Sequence, residues 1–325
     1  MHRQRTKLVA RTERMVKKMG VGEPLVRTAK QAQFRGIITT YRVHDRLLGN
    51  RAARRRYEHD PPVLDDVQRR VLDELEQRDY AIVPFAELVR GEATREAVEK
   101  DGAEFAAHTE GELAARTGAA LDERKDYLVR RYQSVSEVSP SSPWLASCLS
   151  NPMLGLANAY LQMWSKLEYV DFWYSVPVES ASGRIHSQRW HRDFDDRHLL
   201  KVFLYLVDVD EQTGPFEFVA GSARGRSAAD FYPWYPGSPA YPPDREFDAA
   251  VDSADIRTFT ARAGTLILCN TSGFHRGGFA TSKPRILATA TYCSPASLAS
   301  LTERNYRLPK GAAQSLSPQQ RYAVS

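Results

Sequence analysis

From about residue 168 onward the chain breaks into short β-rich runs separated by turn residues, a rhythm that few folds accommodate. Strands are predicted near 169–176, 185–191, 199–208, 215–219, 256–260, 265–269, 272–276 and 285–292. Eight short strands punctuated by Gly and Pro fit a double-sheet jelly roll. The stretch 230–244, with Phe231-Tyr232-Pro233-Trp234-Tyr235-Pro236, interrupts them and reads as a long loop, a feature often tied to function.

The upstream half is helical in pattern. Pro61-Pro62 marks a boundary, and Asp65 to Gln77 follows as an amphipathic helix with Val67, Val71, Leu72 and Leu75 on one face. Tyr80–Phe85 reads as a strand, 93–125 as charged helix, and 143–164 as helix interrupted near Asn151-Pro152. The expected fold is mainly β with α: a double-stranded β-helix (jelly roll, cupin-like) core flanked by N-terminal helices. The expected organisation is a basic helical extension over 1–56 and one domain over 57–325. That domain holds a helical half at 62–165, a jelly-roll core at 168–295 and a tail at 296–325.

Bulk properties exclude several classes. Hydrophobic residues make up 42% and charged residues 26% of 325, so disorder is not the default. The longest apolar runs, such as Val202–Val207, are strand-sized and far short of the ~20 residues a membrane helix needs. The charged N-terminus shows no secretory apolar segment, which leads to the expectation of a cytoplasmic protein. Three cysteines without a C-x-x-C pair argue against a disulfide framework or a structural zinc site. The net charge of +5 is uneven: residues 1–56 carry 16 Lys/Arg against 3 Asp/Glu, and the remainder 29 against 37. That basic arm reads as a solvated helical extension, as a dock for an acidic protein partner, or as a nucleic-acid contact. No nucleic-acid motif supports the last, so nucleic acid is disfavoured.

The chemistry concentrates in Trp190-His191-Arg192-Asp193. In an extended segment residues two apart face one side, so His191 and Asp193 present an imidazole and a carboxylate together. His275 lies 82 residues after Asp193, beyond the run Thr265–Cys269 and beside Gly273, Gly277 and Gly278. Two histidines and one carboxylate form the facial triad of non-haem iron(II) oxygenases, which leaves metal positions open. H-x-D alone is a weak signal; its context strengthens it. Arg285 follows His275 by ten residues and opens the last strand, where a guanidinium can grip a dicarboxylate co-substrate through paired hydrogen bonds.

The sequence resembles the phytanoyl-CoA dioxygenase-like branch of the 2-oxoglutarate/Fe(II)-dependent oxygenases. The resemblance rests on residues 190–193, on Leu200 to Asp210, on Gly214-Pro215-Phe216-Glu217-Phe218-Val219-Ala220-Gly221-Ser222, and on His275 followed by Arg285. It implies an oxygenase domain in which His191, Asp193 and His275 bind Fe(II) and Arg285 binds 2-oxoglutarate. O2 is then the oxidant, and a small organic substrate (a lipid, acyl thioester or specialised metabolite) is hydroxylated with release of succinate and CO2. Ala220 stands where the family usually carries proline, and the basic N-terminus lies outside its pattern. Relatives that halogenate replace the carboxylate by a small residue; Asp193 keeps it, which favours hydroxylation.

Further residues join the candidate list. Lys201, with Tyr205 on the same predicted strand face, is a candidate co-substrate or substrate contact, as are Tyr174 and Ser175 on the preceding strand. Asn270 and Thr271 are candidates for orienting His275. Trp190 and Arg192 are expected to pack behind the metal segment, and His186 and His198 to be structural. Competing functions are a nucleic-acid or protein demethylase of the same superfamily, a cupin metalloenzyme that does not use 2-oxoglutarate, and a non-catalytic binding module. The base-repair demethylases carry an Arg-x-Asn-x-x-x-x-x-Arg strand, whereas this chain reads Arg285-Ile286-Leu287.

Overall fold

The computed structural model describes residues 49–115, 127–132, 142–178, 183–193, 198–223, 241–297 and 314–325, with isolated positions 39, 43, 45, 196, 231, 232, 306 and 311. Most of the basic arm, the end of the 93–125 helix and most of the 230–244 loop lie outside them. In chain order the elements are α1 (Gly49–His59), α2 (Asp66–Arg78), β1 (Tyr80–Pro84), α3 (Phe85–Leu88), α4 (Glu92–Ala115) and β2 (Leu128–Tyr132). They continue with α5 (Pro143–Cys148), α6 (Asn151–Leu161), β3 (Lys166–Ser175), β4 (Leu199–Tyr205), β5 (Phe216–Val219) and α7 (Asp244–Ala250). The last are β6 (Ile256–Phe259), β7 (Thr265–Cys269), β8 (His275–Arg276), β9 (Arg285–Cys293) and α8 (Pro318–Val324).

The helices obey local chemistry. Asp65 and Gln68 form a reciprocal capping box at the start of α2, and Val71 and Leu75 bury one face. In α4 the buried positions Val98, Gly102, Phe105 and Thr109 recur at helical spacing. Helix α1 runs across the boundary drawn at residue 56 and is part of the packed body. Ala53 is buried, its carbonyl accepts from the Trp164 amide at 3.2 Å, and Asn50 Oδ1 accepts from the Ala296 amide at 3.1 Å.

Six strands form one antiparallel sheet in the order β1-β7-β4-β9-β3-β2, and three form a second in the order β6-β5-β8. Every pairing is antiparallel. Alternation along the large sheet separates two cores. Leu200, Val202 and Leu204 of β4, with Ile286, Ala288 and Ala290 of β9, face the helices. Phe203, Tyr205, Ile267 and Leu287 point the other way and meet Phe216, Phe218 and Phe259 of the small sheet. Tyr205 ties the sheets together, donating to the Phe259 carbonyl at 3.0 Å and accepting from the Phe216 amide at 3.2 Å.

The strand expected over 185–191 does not form. That stretch holds a 3-10 turn at His186–Gln188, and only His191 makes an isolated β-bridge. Strand β2, whose sequence is Leu-Val-Arg-Arg-Tyr, extends the large sheet without having been expected. No helix among the described residues is long and apolar enough to cross a membrane.

Candidate metal centre

His191 and His275 are held face to face by the backbone. The His191 amide donates to the His275 carbonyl at 3.0 Å, and the His275 amide to the His191 carbonyl at 2.9 Å. Their rings lie 4.2 Å apart between centroids. Two residues on, the Asp193 amide donates to the Thr271 carbonyl at 2.8 Å, so the segment stays extended and Asp193 returns to the same side. Ligand atoms of His191, Asp193 and His275 all fall within 4.8 Å of one another.

Each imidazole is oriented by a main-chain carbonyl. His191 Nδ1 lies 2.8 Å from the Arg189 carbonyl and His275 Nδ1 lies 3.0 Å from the Gly273 carbonyl. A carbonyl only accepts, so each Nδ1 holds the proton and each Nε2 turns a lone pair toward the carboxylate. His275 Nε2 stands 3.8 Å from Asp193 Oδ1. Burial pushes the His275 pKa down to about 3 and lowers that of His191, so both rings are neutral near pH 7.

Asp193 divides its two oxygens. Oδ1 faces the imidazoles, and Oδ2 accepts from Lys201 Nζ at 3.0 Å. Burial alone would raise the Asp193 carboxyl, but Lys201 and the two histidines outweigh it and hold it well below the usual carboxylate range. Lys201 is itself buried; its pairing with Asp193 outweighs that burial and keeps the ammonium charged.

Arg285 opens β9 on the inner face of the large sheet. It is 5% exposed, NH1 donates to the Gly214 carbonyl, and NH2 lies 3.3 Å from Ser175 Oγ. Burial lowers its pKa, yet a guanidinium remains charged in proteins. Its Nε has no partner, and among the described residues no carboxylate pairs with it. It stands close to the centre along the chain: a Cβ on Gly277, two residues past His275, would sit 3.3 Å from the guanidinium. Beside it the Gly214-Pro215 turn crosses Gly278 so tightly that a Cβ there would lie 2.2 Å from the Pro215 carbonyl. Only glycine allows that approach.

The other residues singled out in the sequence separate. Trp190 stacks on Phe247 at 4.7 Å beneath the Arg276 guanidinium, and Arg192 lies 3.9 Å over Phe274. Both pack outside the centre, as expected, and Arg276 pairs with Glu217 on that outer side. His198 meets Asp45 and His186 stacks on Tyr127, so neither joins the triad. Asn270 braces the turn leading to His275, accepting from the Ser272 amide and hydroxyl and donating to Tyr160. Lys201 meets Asp193, and Tyr205 is a structural tie between sheets.

Tyr174 is not brought to the centre. It belongs to the core on the helical side, and its hydroxyl lies 3.3 Å from Glu110. Its neighbours Trp173 and Ser175 take the inner face instead, because adjacent strand residues point to opposite sides. Inner-face residues that sequence reasoning passed over are Arg130, Asp171, Thr289 and Thr291. The alternation Arg285-x-Leu287-x-Thr289-x-Thr291 on β9 already carried the signal for the two threonines.

No family model matches the chain, and no curated protein matches it. Among solved structures, AviO1 from Streptomyces viridochromogenes Tue57 is 15% identical, with 72% of this chain and 97% of that chain covered at a TM-score of 0.50. That is a likeness of fold. EctD from S. alaskensis, solved with 2-oxoglutarate and 5-hydroxyectoine, is 16% identical over 81% of this chain and 84% of that one, at 0.48. SnoN, described as a non-heme alpha ketoglutarate dependent epimerase from nogalamycin biosynthesis, is 18% identical over 70% and 83%, at 0.45.

Proposed function

We propose that this chain is an Fe(II)- and 2-oxoglutarate-dependent oxygenase acting with O2 on a small organic substrate, and that its two facing sheets are a double-stranded β-helix. His191 Nε2, Asp193 Oδ1 and His275 Nε2 would hold the metal, a nitrogen and oxygen donor set that suits non-haem iron. The observation that carries the co-substrate is Arg285. A buried cation with only neutral acceptors is costly unless a ligand supplies the anion, and the distal carboxylate of 2-oxoglutarate does so. When bound, iron, 2-oxoglutarate and O2 supply oxidative decarboxylation to succinate and CO2, coupled to oxidation of an unactivated C–H bond.

The protein's share is orientation, charge and dryness. The Arg189 and Gly273 carbonyls fix both imidazole tautomers. Lys201 holds Asp193 ionised and occupies one of its oxygens, which leaves the other for the metal. Phe203, Phe216 and Phe218 form an apolar floor next to His275 that keeps bulk water out. Asp193 retains a carboxylate in the third ligand position, which favours hydroxylation over halogenation. The same reading treats the body as one oxygenase domain and keeps the basic segment before α1 for an acidic protein partner.

Anaerobic addition of Fe(II) and 2-oxoglutarate tests the reading. A chelate charge-transfer band is expected for the wild type and is lost in Asp193→Ala and His275→Ala. A wild type that binds Fe(II) but gives no band overturns the assignment and favours a cupin metalloenzyme that does not use 2-oxoglutarate.

A further inference from the structure

Beyond the triad and Arg285, the inner face of the large sheet carries a second polar group that nothing above uses. Asp171 on β3 lies opposite Thr289 on β9, and Thr291 lies opposite both Tyr169 and Lys201. Strand alternation puts Asp171, Thr289 and Thr291 on the side of Arg285 and Leu287, away from Ile286, Ala288 and Ala290 in the helical core. Asp171 and Thr289 are 0% exposed and Thr291 is 3% exposed. Asp171 Oδ2 accepts from the Trp173 indole at 2.6 Å, but Oδ1 has no partner and neither does Thr289 Oγ1, while Thr291 faces the Tyr169 hydroxyl across the strands.

Buried polar atoms are nearly always satisfied, so two on directly paired residues of one wall call for an occupant with matching groups. We infer that Asp171, Thr289 and Thr291 form the substrate-recognition wall of this site, and that the substrate is a neutral hydroxylated molecule of the sugar or polyol class. The inference deepens the proposed function and rests on it. The wall adjoins the metal residues, because Lys201, the cross-strand neighbour of Thr291, holds Asp193.

Charge selects among occupants. The co-substrate is a dianion and cannot seat a carboxylate against the free oxygen of Asp171; Arg285 is the cation built for it. A cationic substrate is disfavoured because Arg130 already lies 4.2 Å over the Trp173 ring, and Lys201 lies 5.5 Å from it. An acyl chain would leave Asp171 Oδ1 and the Thr289 hydroxyl dry. A hydroxyl donates to Asp171 and exchanges a hydrogen bond with Thr289, which satisfies both. Burial pushes the Asp171 carboxyl up to about 7, against the Trp173 hydrogen bond and the nearby Arg130 charge.

The test uses the full chain loaded with Fe(II) and 2-oxoglutarate, with loading first verified by the chelate band. Succinate release is then followed against two panels: alkyl glycosides and polyols, and fatty acids with their coenzyme A thioesters. Stimulation is expected from the first panel alone. With the responding compound, Asp171→Asn and Thr289→Val should each raise its KM by about tenfold or more while the KM for 2-oxoglutarate stays within about twofold. The O-methyl ether of the recognised hydroxyl should lose as much on the wild type and little more on Asp171→Asn. Stimulation by the acyl panel, a silent hydroxylated panel, or variants that handle the responding compound like wild type (a wall that holds water only) overturns the inference. Loss of the chelate band would instead indict the metal and co-substrate reading.

Discussion

Replacing Arg285 by Met separates co-substrate binding from metal binding. The guanidinium is 5% exposed, so solvent screening does not weaken its pairing with a carboxylate. Truncating one partner of a buried, hydrogen-bonded charge pair costs about 2–5 kcal/mol, which raises the Kd for 2-oxoglutarate by about 30-fold to several-thousand-fold. At a ligand concentration ten times the wild-type Kd, binding stabilises the wild type by about 1.4 kcal/mol and the variant by no more than about 0.2 kcal/mol. For a chain of 325 residues that is a Tm rise of about 2 °C against less than about 0.5 °C. The assay is thermal melting with Mn(II) in place of iron, with and without 2-oxoglutarate, with Arg285→Lys as the control that keeps charge but loses the fork. The metal-induced shift should survive in Arg285→Met, because His191, Asp193 and His275 do not lean on the guanidinium. An undiminished 2-oxoglutarate shift in Arg285→Met would refute the assignment.

Three further outcomes follow from particular contacts. Asp171 has its carboxyl raised from an ordinary 3.8 to about 7, so between those values the native state keeps a proton that the unfolded chain has lost. Stability therefore falls as pH rises through that window, by up to on the order of 4 kcal/mol above pH 7, and Asp171→Asn should abolish this slope in melts from pH 5 to 8. Gly278→Ala forces a Cβ against the Pro215 carbonyl and should cost about 2–3 kcal/mol or more by denaturant titration, weakening 2-oxoglutarate binding through the Gly214 contact of Arg285. Tyr174→Phe loses only a hydroxyl that meets Glu110, so the KM for 2-oxoglutarate should stay within about twofold; a tenfold rise would return Tyr174 to the site.

What could be read from the sequence was what local chemistry decides. The run Thr265–Cys269 is β7 residue for residue, because an apolar stretch between Gly264 and Asn270 leaves a strand little freedom at either end. The helix from Asp65 was legible through the apolar face of Val67, Val71, Leu72 and Leu75, and the Asp65–Gln68 capping box that starts it was there to be read as well. The 185–191 segment failed because its extended geometry at His191 is imposed by His275, 84 residues away, and not by its own polar residues. The charged strand β2 was hidden for the same reason. Arg130 finds Trp173, and Arg131 finds Asp101 and Phe172, only once the sheet is assembled. Tyr174 was misplaced because adjacent strand residues cannot both face inward, and the partner of Arg285 turned out to be Ser175.

The charges on the inner wall would sort the three ligands proposed for this sheet face. Asp193 and Lys201 cancel, and the two imidazoles beside them are neutral, so the triad carries no net charge that would repel a dication. Arg285 is an unbalanced cation whose nearest acceptors, Gly214 and Ser175, are neutral. Asp171 is a carboxyl group near the Arg130 charge, with one oxygen served by the Trp173 indole and the other without a hydrogen-bond partner. Arg285 lacks an anion and Asp171 lacks a hydrogen-bond partner, and the two sit on different strands, so a single carboxylate cannot serve both. A dication at the triad, a diacid on Arg285 and a neutral hydroxyl donor on Asp171 would together satisfy these groups, which is the arrangement proposed.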